Sequence, residues 1–214
     1  KFGLAEVQIG DGCGSLTMPS TDMRLSAMTA LAAEQLVDLA SAGAGAGAIA
    51  IGTHDGAGTT SWRRIVVPEM LEMPVEGGAW RLRIARPVVD RMREDIARHP
   101  GVETGGLMLG SCSARTMVIT VVDLLDPPSD SSRSASLFVL GKDGLKSAIA
   151  KRYEESGKRL IDVGTWHSHL AEIGPSAIDR RTAKDLAEER PPPAVLLIVT
   201  PSSFHALMHE PAST

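Results

Sequence analysis

Cysteine is scarce in this chain: Cys13 and Cys112 are the only two in 214 residues. Two residues so far apart cannot make the disulfide framework of a small secreted domain, so a reducing, cytoplasmic setting is expected. An excess of positive charge is missing too. Lysine and arginine total 22 against 26 acidic residues, for a formal net charge of -4, and Arg63-Arg64 and Arg180-Arg181 are no more than short pairs. Without a concentrated basic patch, nucleic acid is not the expected partner. Long hydrophobic runs are also absent. The longest apolar stretch, around Ala40 to Ile51, is built from Ala and Gly and is too short to span a bilayer. No membrane partner and no signal peptide are expected. The chain begins at Lys1 rather than Met, which reads as a piece cut from a longer polypeptide.

What is present supports a packed core: 43% of the residues are hydrophobic. Ser20 to Leu39 reads as a helix, with "STD" as cap and Leu25, Met28, Ala32, Leu36 and Leu39 at helical spacing. The "AIAIG" and "TTSWRRIVVP" segments flank the turn-rich "HDGAG", a pattern that favours a hairpin over a linker. Residues 69–79, mixing Pro, Gly and Glu, read as a connection between domains. From Trp80 the pattern becomes a mixed α/β unit over residues 80–214. "WRLRIA" alternates like a strand, and "RPVVDRMREDIARHP" is an amphipathic helix with Pro87 in its first turn. "ETGGLMLGS" and "TMVITVVDLL" are strand candidates, "DPPSDSSRSAS" is a polar loop, and "GLKSAIAKRYEESG" is a helix. "RLIDVGTWHSH" is a strand, followed by a helix from Ser176 to about Glu189 and two more strands, "AVLLIVT" and "SFHALMHE".

The chemistry gathers in "GTWHSHLAEIGPSAID", Gly164 to Asp179. On a strand, residues two apart share a side, with bases about 6–7 Å apart. His167 and His169 can therefore converge on one ion while Ser168 points away. Zinc takes imidazole nitrogen and carboxylate oxygen, and a catalytic site keeps three protein ligands and one open position. Asp179, in the first turn of the next helix, is the natural third ligand, and its charge suits that helix end. Each half of the motif also has an ordinary explanation. Ser176-x-x-Asp179 after Pro175 is close to a capping box, and an isolated His-x-His is commonly a surface or core pair. Together, at short spacing and between strand and helix, they point to metal. Glu103 begins an apolar strand otherwise empty of charge and makes the candidate base, the ordinary reading being an exposed glutamate at a strand edge. Gly105 and Gly106 favour a close backbone approach.

Glu103 before a Gly-Gly strand, then "HSH", then "SAID", closely resembles the JAMM (MPN+) metalloprotease family. The resemblance runs from Trp80 to about Glu210 and includes the "PPSDS" loop, a Phe138-containing stretch and a helix before the histidines. It implies a mixed α/β, MPN-type sheet flanked by helices. The family's enzymes include deubiquitinases and bacterial relatives that cut ubiquitin-like modifiers from conjugates. Carried over by position, His167, His169 and Asp179 would hold Zn2+. Glu103 would take a proton from water and pass it to the leaving amine. Ser176 would donate to the developing oxyanion, which would keep its side chain from acting mainly as a cap. Two departures fall in the loop that positions Ser176: Leu170 replaces the usual proline, and "LAEIGP" is one residue shorter than the usual form. The resemblance also implies an extended substrate tail, often ending in Gly-Gly. Gly105 and Gly106 would keep its channel narrow, and the polar segment from Leu125 to Gly144 would form one wall.

Residues 1–68, with their expected helix and hairpin, resemble the C-terminal end of ThiF/MoeB-type adenylating enzymes. In that alignment Cys13 falls where such enzymes often carry a conjugating cysteine; the ordinary reading is an incidental or buried one. The nucleotide-binding strand and glycine loop are not in this stretch, so it cannot adenylate by itself. An upstream activating domain in the same longer chain and a ubiquitin-like modifier as common client are what the resemblance implies. The expected function is a zinc isopeptidase that matures or removes the modifier. A peptidase or amidase acting on small peptide conjugates and a non-catalytic MPN scaffold are the alternatives.

Overall fold

A computed structural model describes residues 4–9, 15–19, 47–54, 60–190 and 193–209. The chain divides into two units, residues 1–70 and 71–214. In the first, β1 (Leu4–Ile9), β2 (Ser15–Pro19), β3 (Gly47–His54) and β4 (Thr60–Val67) form a sheet in the order β2-β1-β3-β4. β3 and β4 are the expected hairpin, paired antiparallel from Gly47↔Val67 to His54↔Thr60. Ile49 and Ile51, then Trp62, Ile65, Val66 and Val67, supply the β-branched and aromatic residues that strands favour. The expected helix from Ser20 to Leu39, and Cys13, lie outside the described residues.

The second unit holds β5 (Met70–Glu76), β6 (Arg81–Ala85), α1 (Arg86–Arg98), β7 (Gly105–Ser113) and β8 (Val118–Leu125). After them come β9 (Ser132–Arg133), β10 (Phe138–Val139), α2 (Leu145–Glu155), β11 (Ile161–Ser168), α3 (Ala177–Glu189), β12 (Val195–Val199) and β13 (Phe204–Leu207). The fold is mixed α/β, as expected, with helices against the sheet. The sheet, however, is closed into a barrel in the order β11-β12-β13-β5-β6-β8-β7.

Residues 69–79 are not the expected connection. Met70–Glu76 is a barrel strand whose Val75 and Glu76 pair in parallel with Ala206 and Leu207 of β13. Only its end is a turn: Val75 N–H reaches Trp80 O at 2.9 Å. Gly77 takes φ +97°, and a Cβ there would sit 2.1 Å from Met208 O, so glycine is required.

Each helix covers part of the barrel with its apolar face. α1 has Pro87 in its first turn, where a missing N–H is harmless, and buries Val88, Val89 and Met92. Leu145, Ala148 and Ile149 of α2 lie against Leu107, Leu109 and Leu125. Ala183 and Leu186 of α3 cover Leu196, Ile198 and Leu207. β12 is consequently buried along its full length, "VLLIV", which explains an apolar run without alternation.

β11 carries the motif and is placed between β7 and β12. It runs antiparallel to β7, with His167 opposite Gly105, and parallel to β12, with His167 opposite Ile198. A register shift between Asp162 and Gly164 marks a bulge. Gly164 has φ +139°, and a Cβ there would meet Val195 O at 1.9 Å. The Asp162 carboxylate accepts from Gly164 N–H at 3.0 Å and from Arg190 at 2.8 Å, fixing the bulge from the side. Beyond it, Trp166 and Ser168 are buried while His167 faces a cleft.

Candidate metal centre

His167 comes from the end of β11, His169 from the residue just after it, and Asp179 from the first turn of α3. Their ligand atoms all lie within 4.8 Å of one another. His167 Nε2 is 3.2 Å from His169 Nε2 and 3.1 Å from Asp179 Oδ1; His169 Nε2 is 3.5 Å from Asp179 Oδ2. Ligands of a tetrahedral zinc ion, each about 2.0–2.1 Å from it, stand about 3.3–3.4 Å apart. The two histidine nitrogens stand close to that spacing, each meets a different oxygen of Asp179, and one ligand atom from each residue falls within 4.8 Å of the others.

Proton placement supports the same fit. His169 Nδ1 lies 2.9 Å from Ile173 O, and a carbonyl can only accept. A neutral His169 consequently turns the lone pair of Nε2 toward His167 and Asp179. Fixing the far ring nitrogen in this way is how metal-binding histidines are oriented. Burial works against ionisation of Asp179. Hydrogen bonds from His167 and from the side chain and amide of Ser176 outweigh it and hold the carboxyl well below its usual range. Two nitrogen donors and an ionised oxygen suit zinc.

The start of α3 serves the site and the helix together. Ser176 Oγ accepts from Asp179 N–H at 3.2 Å, and Asp179 Oδ2 accepts from Ser176 N–H at 2.7 Å, a complete capping box. The side chain of Ser176 is thus engaged as the helix cap, the role that donation to an oxyanion was expected to displace. The short loop before it is anchored at two points. Ile173 O meets His169, while Glu172 accepts from Thr200 Oγ1 at 2.6 Å, from Ser202 N–H at 2.9 Å and from Ser203 Oγ. Those bonds hold the Glu172 carboxyl down at about 2.

Glu103 lies two residues before β7 rather than at its start, and it is buried. Its N–H donates to Ser134 O at 2.8 Å. The neighbouring Thr104 is tied to β11: Thr104 N–H donates to Ser168 Oγ at 2.9 Å, and Ser168 N–H to Thr104 O at 2.7 Å. Thr104 Oγ1 also donates to Asp95 of α1 at 2.7 Å. Burial is the main influence on the Glu103 carboxyl and pushes it up. His167 and His169 pull it partly back, Asp179 adds to the rise, and the Phe138 amide hydrogen bond opposes it. A raised carboxyl suits a group that must both take and give a proton.

A cleft of about 340 Å³ contains Glu103, His167, His169, Ser176 and Asp179. Ala135, Ser136, Leu137 and Phe138 line it as well, so the segment expected to form a wall borders the cleft. Gly105 and Gly106 do not keep a channel open. A Cβ on Gly105 would meet Trp166 O at 2.2 Å and the Phe138 ring at 2.6 Å, and one on Gly106 would meet Leu125 O at 2.7 Å. Their missing side chains make room for the protein's own backbone and Phe138. Sequence reasoning missed Thr104, Glu172 and the Ile173 carbonyl. The hydrophilic Glu172 in a loop has no pattern to betray it, and a carbonyl carries no sequence signal at all.

Two imidazoles and a carboxylate brought together beside a buried glutamate are the donor set of a metal-dependent hydrolase. Residues 85–209, more than half of the chain, match the family described as prokaryotic homologs of the JAB domain, and the chain belongs to that family. It is 29% identical over 131 residues to the "Probable metalloprotease y4qB" of Sinorhizobium fredii, covering 59% of this chain and 79% of that one. It is 27% identical over 113 residues to a "CD-NTase/cGAS isopeptidase" of Enterobacter hormaechei, covering 52% and 61% respectively. The solution structure of protein DSY2949 from Desulfitobacterium hafniense aligns with a TM-score of 0.41 and 18% identity over 60% of this chain and 94% of that one.

Proposed function

We propose that the protein is a zinc-dependent isopeptidase or peptidase that cleaves after the C-terminal tail of a ubiquitin-like modifier, to mature it or release it from conjugates. The observation that carries this reading is the convergence of His167 Nε2, His169 Nε2 and the Asp179 carboxylate, whose ligand atoms lie within 4.8 Å of one another, in one cleft with Glu103. The relatives named metalloprotease and isopeptidase support it. An adenylating domain upstream in the same polypeptide, as residues 1–68 suggest by resemblance, would act on the same modifier.

His167, His169 and Asp179 would hold the ion. When bound there, zinc supplies Lewis acidity that makes water nucleophilic near neutral pH and polarises a carbonyl. Glu103 takes the proton of the attacking water and returns it to the nitrogen of the leaving amine. Its burial favours the protonated form, which makes it the stronger base for taking that proton. Ser176, held by its cap bond to Asp179 N–H, aims its own O–H at the oxygen that gains charge.

The test is a ubiquitin-like protein encoded beside this one, fused through its tail to a reporter, with short peptides of the same tail as comparison. Cleavage of the fusion, its loss with chelator and its return with zinc are expected. Glu103→Gln should keep stoichiometric zinc and lose at least about 100-fold in kcat. Full activity of Glu103→Gln, or cleavage that survives metal removal, overturns the mechanism.

A further inference from the structure

Among the described residues, six large apolar side chains are exposed: Val122, Leu137, Val139, Leu170, Ile173 and Ile178. Four of them, Leu137, Leu170, Ile173 and Ile178, line the cleft that contains the metal cluster. Single exposed apolar residues are ordinary on a protein surface, but several around one concave site mark where something apolar binds. Ile173 and Ile178 are 62% and 63% exposed, so packing against the body of the protein does not account for them.

The charges of the cleft narrow the occupant further. No lysine or arginine lines it, so nothing besides a bound ion would hold the free carboxylate of a chain end. Its acidic groups are Glu103 and Asp179, and Asp179 is engaged by His167 and by Ser176 N–H. A chain-end amine therefore finds no spare carboxylate besides the one needed as base. Ser136, Ser176 and Thr182, the neutral polar residues of the lining, suit backbone groups instead.

Building on the peptidase reading above, we infer that the cleft takes an uninterrupted polypeptide segment, not a chain end, with a large apolar side chain within two residues of the cleaved bond. The side chain lies on the surface made by Leu137, Leu170, Ile173 and Ile178. A modifier tail that reaches this site carries leucine, isoleucine or phenylalanine near its junction rather than glycine alone.

The experiment uses the Glu103→Gln protein, with and without zinc, and labelled short peptides read by fluorescence anisotropy. The peptides share one sequence except at the centre, which is Leu-Ala, Asp-Ala or Gly-Gly; a fourth ends in a free carboxylate after the leucine. The Leu-Ala peptide is expected to bind about tenfold tighter than the Asp-Ala and Gly-Gly peptides, a gap within the range that apolar subsites supply. That gap persists without zinc, and Ile178→Ser or Leu137→Ser shrinks it. Both positions are largely exposed, so these variants fold. Equal affinity for the three centres, or tighter binding of the free carboxylate, overturns the inference. Reporter cleavage by the unaltered protein without this discrimination removes the inference and leaves the peptidase. Discrimination in binding with no cleavage of any substrate upholds the cleft's preference and removes the peptidase.

Discussion

At the scale of single residues, Ser176 and Asp179 each perform two tasks with different atoms. Ser176 accepts a helix N–H through its oxygen and, on the proposed mechanism, would turn its proton to the oxyanion; Asp179 binds the Ser176 amide through Oδ2 and presents Oδ1 to His167. Ser176→Ala should remove both tasks at once. Loss of the cap costs about 1 kcal/mol, which for a protein of this size lowers Tm by about 2–4 °C. Loss of the oxyanion donor lowers kcat by about 100-fold or more. Thermal denaturation and steady-state kinetics on the same preparation separate the two, and an unchanged kcat assigns the residue to capping alone. The metal cluster is legible in the sequence because its residue types are few and its spacing is short. Asp179 stands out as the third candidate ligand since a helix has to begin there. Thr104 does not, because a threonine before two glycines carries no chemical signature until Ser168 is found against it.

At the scale of elements, the loop from Leu170 to Pro175 is the part most altered from the family pattern, and Glu172 is what fastens it to the β12–β13 turn. A carboxyl at about 2 in the folded protein, against an ordinary value of 4.5, stabilises the fold where it is ionised in both states. That contribution is complete above pH 4.5 and disappears as pH falls through about 2. Glu172→Gln is therefore expected to be less stable than the unaltered protein at pH 7, with the difference closing between those two values. Urea titrations across the pH series measure it; a constant difference would show that the carboxylate charge is not what holds the turn. Helices α1 and α3 are readable from Pro87 and from Pro175-Ser176, since caps and first turns are local chemistry. β5 is not. Pro74 and the glycines after it suggest a linker, whereas the strand is specified by pairing with β13, more than a hundred residues away in the chain.

At the scale of the whole molecule, closure of the barrel brings the start of β7 and the ends of β11 and β12 to one place, and α3 returns across β12 to complete the site. Periodicity announces strands but not which two edges meet, so closure is invisible in the sequence while the mixed α/β class is plain. The described residues contain no helix long and apolar enough to cross a membrane. If His167, His169 and Asp179 share an ion as proposed, binding should stabilise the fold as a unit. At a free zinc concentration a hundredfold above Kd the gain is about 2.7 kcal/mol, which corresponds to a Tm rise of about 5–11 °C. Scanning calorimetry of chelated and zinc-loaded protein reads this directly, and identical curves would remove zinc from the assignment.

The capping box at the start of α3 has a last consequence, for exchange. The amide of Ser176 holds the carboxylate in register whether or not a cation sits beside it, so no turn has to be rebuilt when one ion leaves and another arrives. Swapping zinc for cobalt should then be a simple titration of folded protein, limited by shedding of hydration water. The visible absorption of cobalt becomes a direct gauge of how many ligands the polypeptide supplies.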